Sequence, residues 1–186
     1  IANLILCSGI IALSIFHLGA EPIAAKPSRP LQDLHTMKNN IPLRMQWDGN
    51  SGYCGEASLI SAGLYYGQYI SQYDARALAT NNGSQIKNQL LLGINDAYAA
   101  GKMRLRAVTW DSSGEQSTND FLAWVKRHVI NGAPVAIGVF ANQFLFYTNT
   151  DLAAGDCEYD HIVSVIGIGS NHALTDPNYY DDDIIT

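Results

Sequence analysis

The hydrophobic pattern of the chain changes from helical spacing in the first half to strand-like spacing in the second. Between Cys54 and Tyr66, small and apolar residues occupy most sides of a helix, which predicts a buried one. A second helix is predicted over 85–100 and a third over 117–132, where Ser or Thr can cap the start and a glycine ends it. The alternating residues 103–110 predict a strand between these two helices.

The second half of the chain carries β patterns. Residues 134–141 form an apolar run and residues 159–169 are rich in β-branched side chains, so both are predicted strands. Residues 144–150 are expected to continue a hairpin or to form a loop edge, and 183–186 to begin another strand. Leading helices followed by antiparallel strands predict an α+β domain.

The N-terminal segment differs from the rest of the chain. Residues 1–25 are mostly apolar and end in small residues, which predicts a secretory signal peptide and therefore a secreted or exported protein. Because the segment starts at Ile1 without a basic region, we expect it to be truncated at its front. The alternative is a membrane anchor, because a span needs roughly 20 apolar residues. Residues 26–40 contain prolines and predict a linker, and 41–186 form the predicted domain.

Composition and charge narrow the class of partner. With 47% hydrophobic and 15% charged residues the chain has the balance of an ordinary globular domain. Its formal net charge is −6 and it has no basic patch, which argues against nucleic acid as a partner. A membrane would be a partner only if the N-terminal apolar segment were retained as an anchor.

The chemistry of the chain is predicted to centre on Cys54, at the start of the first helix. The unpaired N–H groups and the dipole of a helix N-terminus favour a thiolate, which is the reactive form of cysteine. Gly52 and Gly55 flank the sulfur closely and leave room for a substrate backbone. His161, at the start of a predicted strand, is the candidate base, if folding brings strand and helix together.

Gln46 is a candidate for stabilising negative charge in an acyl-transfer reaction. A side-chain amide beside the backbone N–H of the cysteine can bind the developing oxyanion, and one such donor contributes roughly 3 kcal/mol. Gln46 lies shortly before Cys54 in the sequence, which suits this role.

The segments QWDGNSGYCGEAS, from Gln46, and YDHIVSVIGIG, around His161, together resemble papain-like cysteine peptidases. The form YCGEAS is most similar to the bacteriocin-processing, or double-glycine, peptidase-like branch. The resemblance covers the region from residue 41 to residue 186. It implies a helical half carrying the nucleophile Cys54, an antiparallel β half carrying the base His161, and Gln46 as oxyanion donor. It also implies a peptide or protein substrate and no cofactor.

Papain-like enzymes also use an Asn or Asp that orients the histidine. Asp176 has a suitable spacing from His161, although it precedes a proline in an apparent loop. Asp181 to Asp183 are weaker candidates. Because residues up to Thr186 only begin a strand, we also expect that the domain is truncated at its C-terminal end, and the alternative to Asp176 is an orienting residue beyond Thr186.

Several alternatives remain open from the sequence. Cys54 could pair with Cys157 in a disulfide or be an inert core thiol, and the domain would then be a non-catalytic secreted binding module of the same fold. The same Cys–His pair could instead serve a transglutaminase-like acyltransferase. A metal site formed by His161, His172 and Asp181–Asp183 is a further alternative, although these residues lack the spacing of a calcium loop.

Overall fold

The computed structural model describes residues 35–139, 159 and 161–186 of the chain. These residues form an α+β fold, as predicted. The helices are α1 (Cys54–Tyr65), α2 (Gln72–Ala79), α3 (Asp96–Lys102) and α4 (Thr118–Ile130). The strands are β1 (His35–Lys38), β2 (Val135–Val139), β3 (His161–Val165), β4 (Gly167–Ser170) and β5 (Ile184–Ile185).

Two of the predicted helices are confirmed almost residue for residue. α1 begins at Cys54 and is buried along most of its length, as its all-round apolar pattern predicts. α4 is capped by Ser117, which accepts a hydrogen bond from the Asp120 N–H while the Asp120 carboxylate accepts one from the Ser117 N–H. Gly132, with φ of +77°, follows the end of α4.

The predictions between α1 and α4 need correction. The helix expected over 85–100 begins only at Asp96, because the Asn95 side chain binds the Leu91 N–H and Gly93 has a positive φ of 72°. The strand expected over 103–110 is not formed, because no described strand pairs with this extended segment. The helix α2 was not predicted, although a capping box formed by Ser71 and Asp74 begins it.

The strands form two sheets. β2 and β3 pair antiparallel, with Val139 opposite His161. β4 lies between β1 and β5 and is antiparallel to both. The predicted single strand 159–169 is therefore divided at Ile166, whose N–H and C=O bond to Thr186 and Asn39 instead of to the β2–β3 sheet. The strand predicted over 134–141 is confirmed for its described part.

The interior has two apolar clusters. One lies between α4 and the strands and contains Val125, Val129, Val135, Val165 and Ile168. The other lies between α1, α2 and α3 and contains Ala79, Leu90 and Ala99. α1 contacts β3 and β2 on one side and α2 and α3 on the other, so the helix that carries Cys54 is central to the fold.

The N-terminal predictions fall mostly outside the described residues. The signal peptide or anchor over 1–25 lies there, as do residues 144–150 and Cys157. β1 shows that the ordered fold extends into the stretch 26–40 that was predicted as a linker. Among the described helices, none combines the length and apolar character that crossing a bilayer requires.

Candidate functional site

Cys54 is the first residue of α1, as the sequence predicted. Its thiol is free and partly exposed. The Tyr53 carbonyl accepts a hydrogen bond from the Ala57 N–H at 2.8 Å and therefore points along the helix. Because N–H and C=O of a trans peptide point in opposite directions, the Cys54 N–H points out of the helix end. The thiol and a backbone donor are thus presented together at the N-terminus of α1.

The turn that precedes α1 has a left-handed backbone. Asn50, Ser51 and Gly52 have φ values of 49°, 64° and 85°. Such a conformation costs on the order of 1–3 kcal/mol for each residue that carries a Cβ. The Gly52 N–H donates to the Gly49 carbonyl at 2.8 Å, and the Asn50 side-chain amide donates to the Tyr53 hydroxyl at 2.9 Å. The carbonyl groups of Asn50 and Gly52 take no part in these local bonds and are bound from outside the turn.

A buried ion pair joins α2 to the first turn of α1, the helix that Cys54 begins. Arg76 Nε on α2 donates to Glu56 Oε1 on α1 at 2.7 Å, and the two side chains are 0% and 1% exposed. Glu56 Oε1 also accepts the Leu90 N–H at 2.9 Å. Since a buried charge is tolerated only when it is paired and hydrogen-bonded, the cluster ties together α1, α2 and the segment that leads to α3.

The same arginine binds the turn before Cys54. Arg76 Nη1 donates to the Asn50 carbonyl at 2.9 Å and to the Gln85 carbonyl at 2.6 Å, and Nη2 donates to the Gly52 carbonyl. Its guanidinium carbon lies 3.7 Å from the centre of the Tyr53 ring, in cation–π geometry. One planar side chain therefore contacts residues on both sides of the thiol.

Gln46 lies beside this turn. A Cβ placed on Gly52 would lie 3.3 Å from Gln46 Nε2, so the side-chain amide is next to the turn that leads to the helix end. The backbone around it is held by Gln72, a buried residue whose Oε1 accepts the Trp47 N–H at 3.0 Å and whose Nε2 donates to the Met45 carbonyl at 2.8 Å. The sequence-predicted oxyanion donor is therefore near the helix end, on a segment fixed by α2.

His161 is the first residue of β3 and is partly exposed. β3 packs against α1, so the strand of the predicted base and the helix of the predicted nucleophile are neighbours. No hydrogen bond joins the Cys54 thiol and the His161 ring in the part of the chain that the structure describes. Catalytic hydrogen bonds are often long before substrate binds and shorten in the substrate complex.

Tyr159, two residues before His161, also lies near the thiol. Its hydroxyl accepts the Leu92 N–H at 2.9 Å. Burial raises the pKa of the Tyr159 phenol, the hydrogen bond from the Leu92 N–H lowers it, and the electrostatic influence of Cys54 raises it further. The ring packs on Gly138, where a Cβ would come within 2.7 Å of it. Tyr159 is therefore close enough to Cys54 for an electrostatic interaction between the two side chains.

Asp176 lies in the loop after β4. Its carboxylate accepts the Tyr180 hydroxyl at 2.6 Å and the Asn178 N–H at 3.0 Å. These bonds, Tyr180 first, hold the pKa of Asp176 below its usual value, so the side chain stays ionised. Neither oxygen is hydrogen-bonded to His161 within the described residues.

Of the three aspartates that follow, Asp181 is exposed, and Asp182 and Asp183 have side-chain partners. Asp182 accepts the Asn171 amide at 2.7 Å and lies 3.6 Å from His172 Nε2. Asp183 is buried and forms an ion pair of 2.7 Å with Lys126. Within the described ranges, no three His, Cys, Asp or Glu side chains are arranged to hold a metal ion, so the alternative metal site gains no support from them.

A cavity of about 210 Å³ begins at Gly55, the residue after Cys54. It follows one face of α1 from Gly55 to Tyr66 and is closed by residues 105–108, by α4 and by β2. Its wall is mainly apolar and includes Trp124 and His128. Burial first, and then the charge of Arg127, lowers the pKa of His128, so this imidazole is mainly neutral at pH 7.

The comparisons with known proteins add no identification. No protein-family model matches the chain, and no curated protein or solved structure does so either. The candidate site therefore rests on its own geometry.

Sequence reasoning missed the residues that support the thiol. Buried Gln72, Ala75, Arg76 and Ala79 have the spacing of one helix face, but two of them are polar and conceal the apolar stripe. The spacing of these four residues predicts α2 once long polar side chains are accepted on the buried face of a helix. Glu56 lies in the first turn of α1, where an acid is ordinarily an exposed dipole partner.

Proposed function

We propose that the chain is a cysteine hydrolase of papain-like fold that cleaves peptide bonds, acting after export. The observation that carries the proposal is the placement of a free, partly exposed thiol as the first residue of a central helix. That helix packs against the strand that begins with His161. The side-chain amide of Gln46 beside the preceding turn supports an acyl-transfer reaction in particular.

In the proposed reaction the Cys54 thiolate attacks the carbonyl carbon of the scissile bond and forms a C–S bond. The Cys54 N–H and the Gln46 amide bind the oxyanion. His161, protonated when the thiol ionised, donates that proton to the amine as the C–N bond breaks. Water, deprotonated by His161, then attacks the thioester, and the acid is released as the sulfur recovers its proton.

Asp176 keeps the role of orienting residue within this proposal. Its ionised carboxylate suits the stabilisation of an imidazolium, but both of its oxygens already accept hydrogen bonds from Asn178 and Tyr180. Changing Tyr180 to Phe would release one oxygen without changing charge. If Asp176 orients the base, Y180F should raise or preserve the hydrolysis rate, whereas D176N should lower it.

The first test is the reactivity of the thiol. The wild-type protein and the variants C54A and C157S are treated with iodoacetamide at mildly acidic pH, and the labelled peptides are identified by mass spectrometry. We expect Cys54 to be alkylated faster in the folded protein than in urea, because only the folded helix end favours the thiolate. C157S serves as the matched control and should label like the wild type. Labelling no faster than in urea would remove the proposed nucleophile.

The second test is product analysis. Fluorescent casein should be cleaved by the wild type and by neither C54A nor H161A. Adding a primary amine separates hydrolysis from acyl transfer, because a transferase would join the amine to the new carboxyl end. An uncleaved casein together with a Cys54–Cys157 disulfide in unreduced peptides would favour the non-catalytic binding module instead.

A further inference from the structure

The arginine on α2 contacts the polypeptide on both sides of the candidate nucleophile. Before Cys54, its Nη atoms bind the carbonyl groups of Asn50 and Gly52. After Cys54, its Nε binds Glu56. The side chain is fully buried and lies flat against the Tyr53 ring. Such a planar fork with fixed donors restrains the direction of each carbonyl group that it binds.

We infer that Arg76 is a positioning residue for Cys54, an inference that rests on the proposed function. By binding the Gly52 carbonyl, Arg76 fixes the peptide unit that precedes Tyr53 and turns its oxygen toward the protein interior. A carbonyl oxygen rotated to the helix end would instead compete with the oxyanion for the Cys54 N–H and repel the oxyanion. Arg76 thereby keeps the oxyanion position free of acceptors.

The backbone of the turn explains why an external restraint is needed. Asn50 and Ser51 hold left-handed conformations that residues with a Cβ rarely adopt. Such conformations persist only where surrounding contacts over-determine them. The carbonyl of Asn50 is one of the groups that Arg76 binds, so the strained turn and the arginine belong to one unit.

Charge gives Arg76 a second task at the same place. Glu56 lies in the first turn of α1, two residues after Cys54, and its carboxylate is buried. An uncompensated anion there would oppose both the thiolate and the oxyanion. The guanidinium neutralises it through a contact of 2.7 Å.

The test compares Arg76→Lys, which keeps the charge but loses the fork, with two matched variants. Lys126→Arg exchanges the other buried cation, whose partners Asn178 and Asp183 lie in the C-terminal segment. Glu56→Gln removes the buried anion and leaves the arginine its carbonyl contacts. All variants are made with Gly101→Ala, because open space at Gly101 admits a methyl group that stabilises α3 and offsets a loss of folding.

Two readouts are measured on the full chain. Hydrogen exchange reports the turn through the Gly52 and Ala57 amides, which bond to Gly49 and Tyr53. In R76K we expect these two amides to exchange about tenfold faster, while amides of α4 are unchanged. On fluorescent casein we expect kcat to fall on the order of 100-fold with KM and iodoacetamide labelling within about threefold of the wild type. K126R should keep kcat within about threefold, and E56Q, which leaves the guanidinium its carbonyl contacts but not its counter-ion, should lower kcat less than R76K does.

Unchanged exchange of Gly52 and Ala57 in R76K would overturn the inference, and so would a loosened turn with wild-type kcat. An equal fall of kcat in K126R would assign the effect to general destabilisation and overturn it as well. A wild-type protein that neither cleaves casein nor labels rapidly would refute the proposed hydrolase. In that case exchange still decides whether Arg76 holds the turn.

Discussion

Each half of the molecule contains one buried ion pair, and the two pairs differ in how many backbone groups the cation also binds. Arg76 and Glu56 meet at 2.7 Å between two helices, and Lys126 and Asp183 meet at 2.7 Å between α4 and the segment before β5. All four side chains are at most 1% exposed. The arginine also binds three backbone carbonyls, whereas the lysine binds one.

The difference lies in what each pair organises. Lys126 joins the Asn178 carbonyl and Asp183, and Asp183 Oδ1 has no hydrogen-bond partner within the described residues. A compact ammonium group suits such a point contact, while a guanidinium suits several fixed acceptors. We therefore interpret the lysine pair as a scaffold contact, and the arginine pair as a support for the turn at Cys54.

The largest expected difference comes from removing one cation. K126M leaves a buried carboxylate without its partner, which costs about 3–5 kcal/mol. R76M leaves a buried carboxylate and three carbonyl groups without their partner. We therefore expect the free energy of unfolding to fall by more than about 5 kcal/mol and the protein to be largely unfolded. Urea unfolding followed by circular dichroism measures both. A K126M protein that is less stable than R76M would contradict the comparison.

Replacing both partners sharpens the distinction. K126M/D183L removes both charges but leaves the Asn178 carbonyl and the Tyr180 N–H unpaired, so we expect its free energy of unfolding to return to within about 2 kcal/mol of the wild type. R76M/E56M should remain about 2–4 kcal/mol less stable, because the carbonyl groups bound by the guanidinium stay unpaired. Equal recovery of the two double variants would show that these carbonyl contacts contribute little.

Glycine substitutions probe the packing around the arginine pair. A Cβ on Gly55 would overlap the carbonyl group of Leu90. Leu90 is also the residue whose N–H donates to Glu56. We expect G55A to destabilise the fold by about 1–3 kcal/mol. G101A, also in a helix but in open space, should stabilise it by up to about 1 kcal/mol. Thermal unfolding of the two variants checks the signs, and a neutral G55A would mean that Leu90 moves without cost.

The smallest expected effect compares two identical helix caps. Ser71 begins the helix that carries Arg76, and Ser117 begins the helix that carries Lys126, both through capping boxes. S71A and S117A should each cost about 1 kcal/mol. If α2 supports the thiol and α4 does not, S71A should also lower kcat on casein, whereas S117A should leave it unchanged. A loss of kcat in S117A of the same size would erase the distinction between the two halves.

Local periodicity predicted much of the fold and only part of the site. α1 and α4 follow from helical patterns and caps, and Gln46 lies beside the turn before Cys54 partly because it is close to that turn in sequence. α2 escaped prediction because Gln72 and Arg76 occupy its buried face, where pattern analysis expects apolar residues. Their burial becomes favourable only through partners that lie far along the chain.

The failed strand over 103–110 has a related cause. Alternation makes a segment suitable for a sheet, but a strand also needs a neighbour with free hydrogen-bonding groups. Residues 106–109 are exposed instead, and the described strands pair with one another. The relation of His161 to Cys54 is likewise set by how β3 packs on α1, which no local pattern contains.

The order of strands in the three-stranded sheet bears on when the protein becomes competent during synthesis. β4 lies between β1 and β5, and Thr186 bonds to Ile166 and Gly167 at the point where β3 gives way to β4. A nascent chain still holding Ile184 to Thr186 inside the ribosomal tunnel lacks this edge, although the four described helices have already emerged. The junction between β3 and β4 would then gain its final hydrogen bonds only after residues 184–186 have left the tunnel.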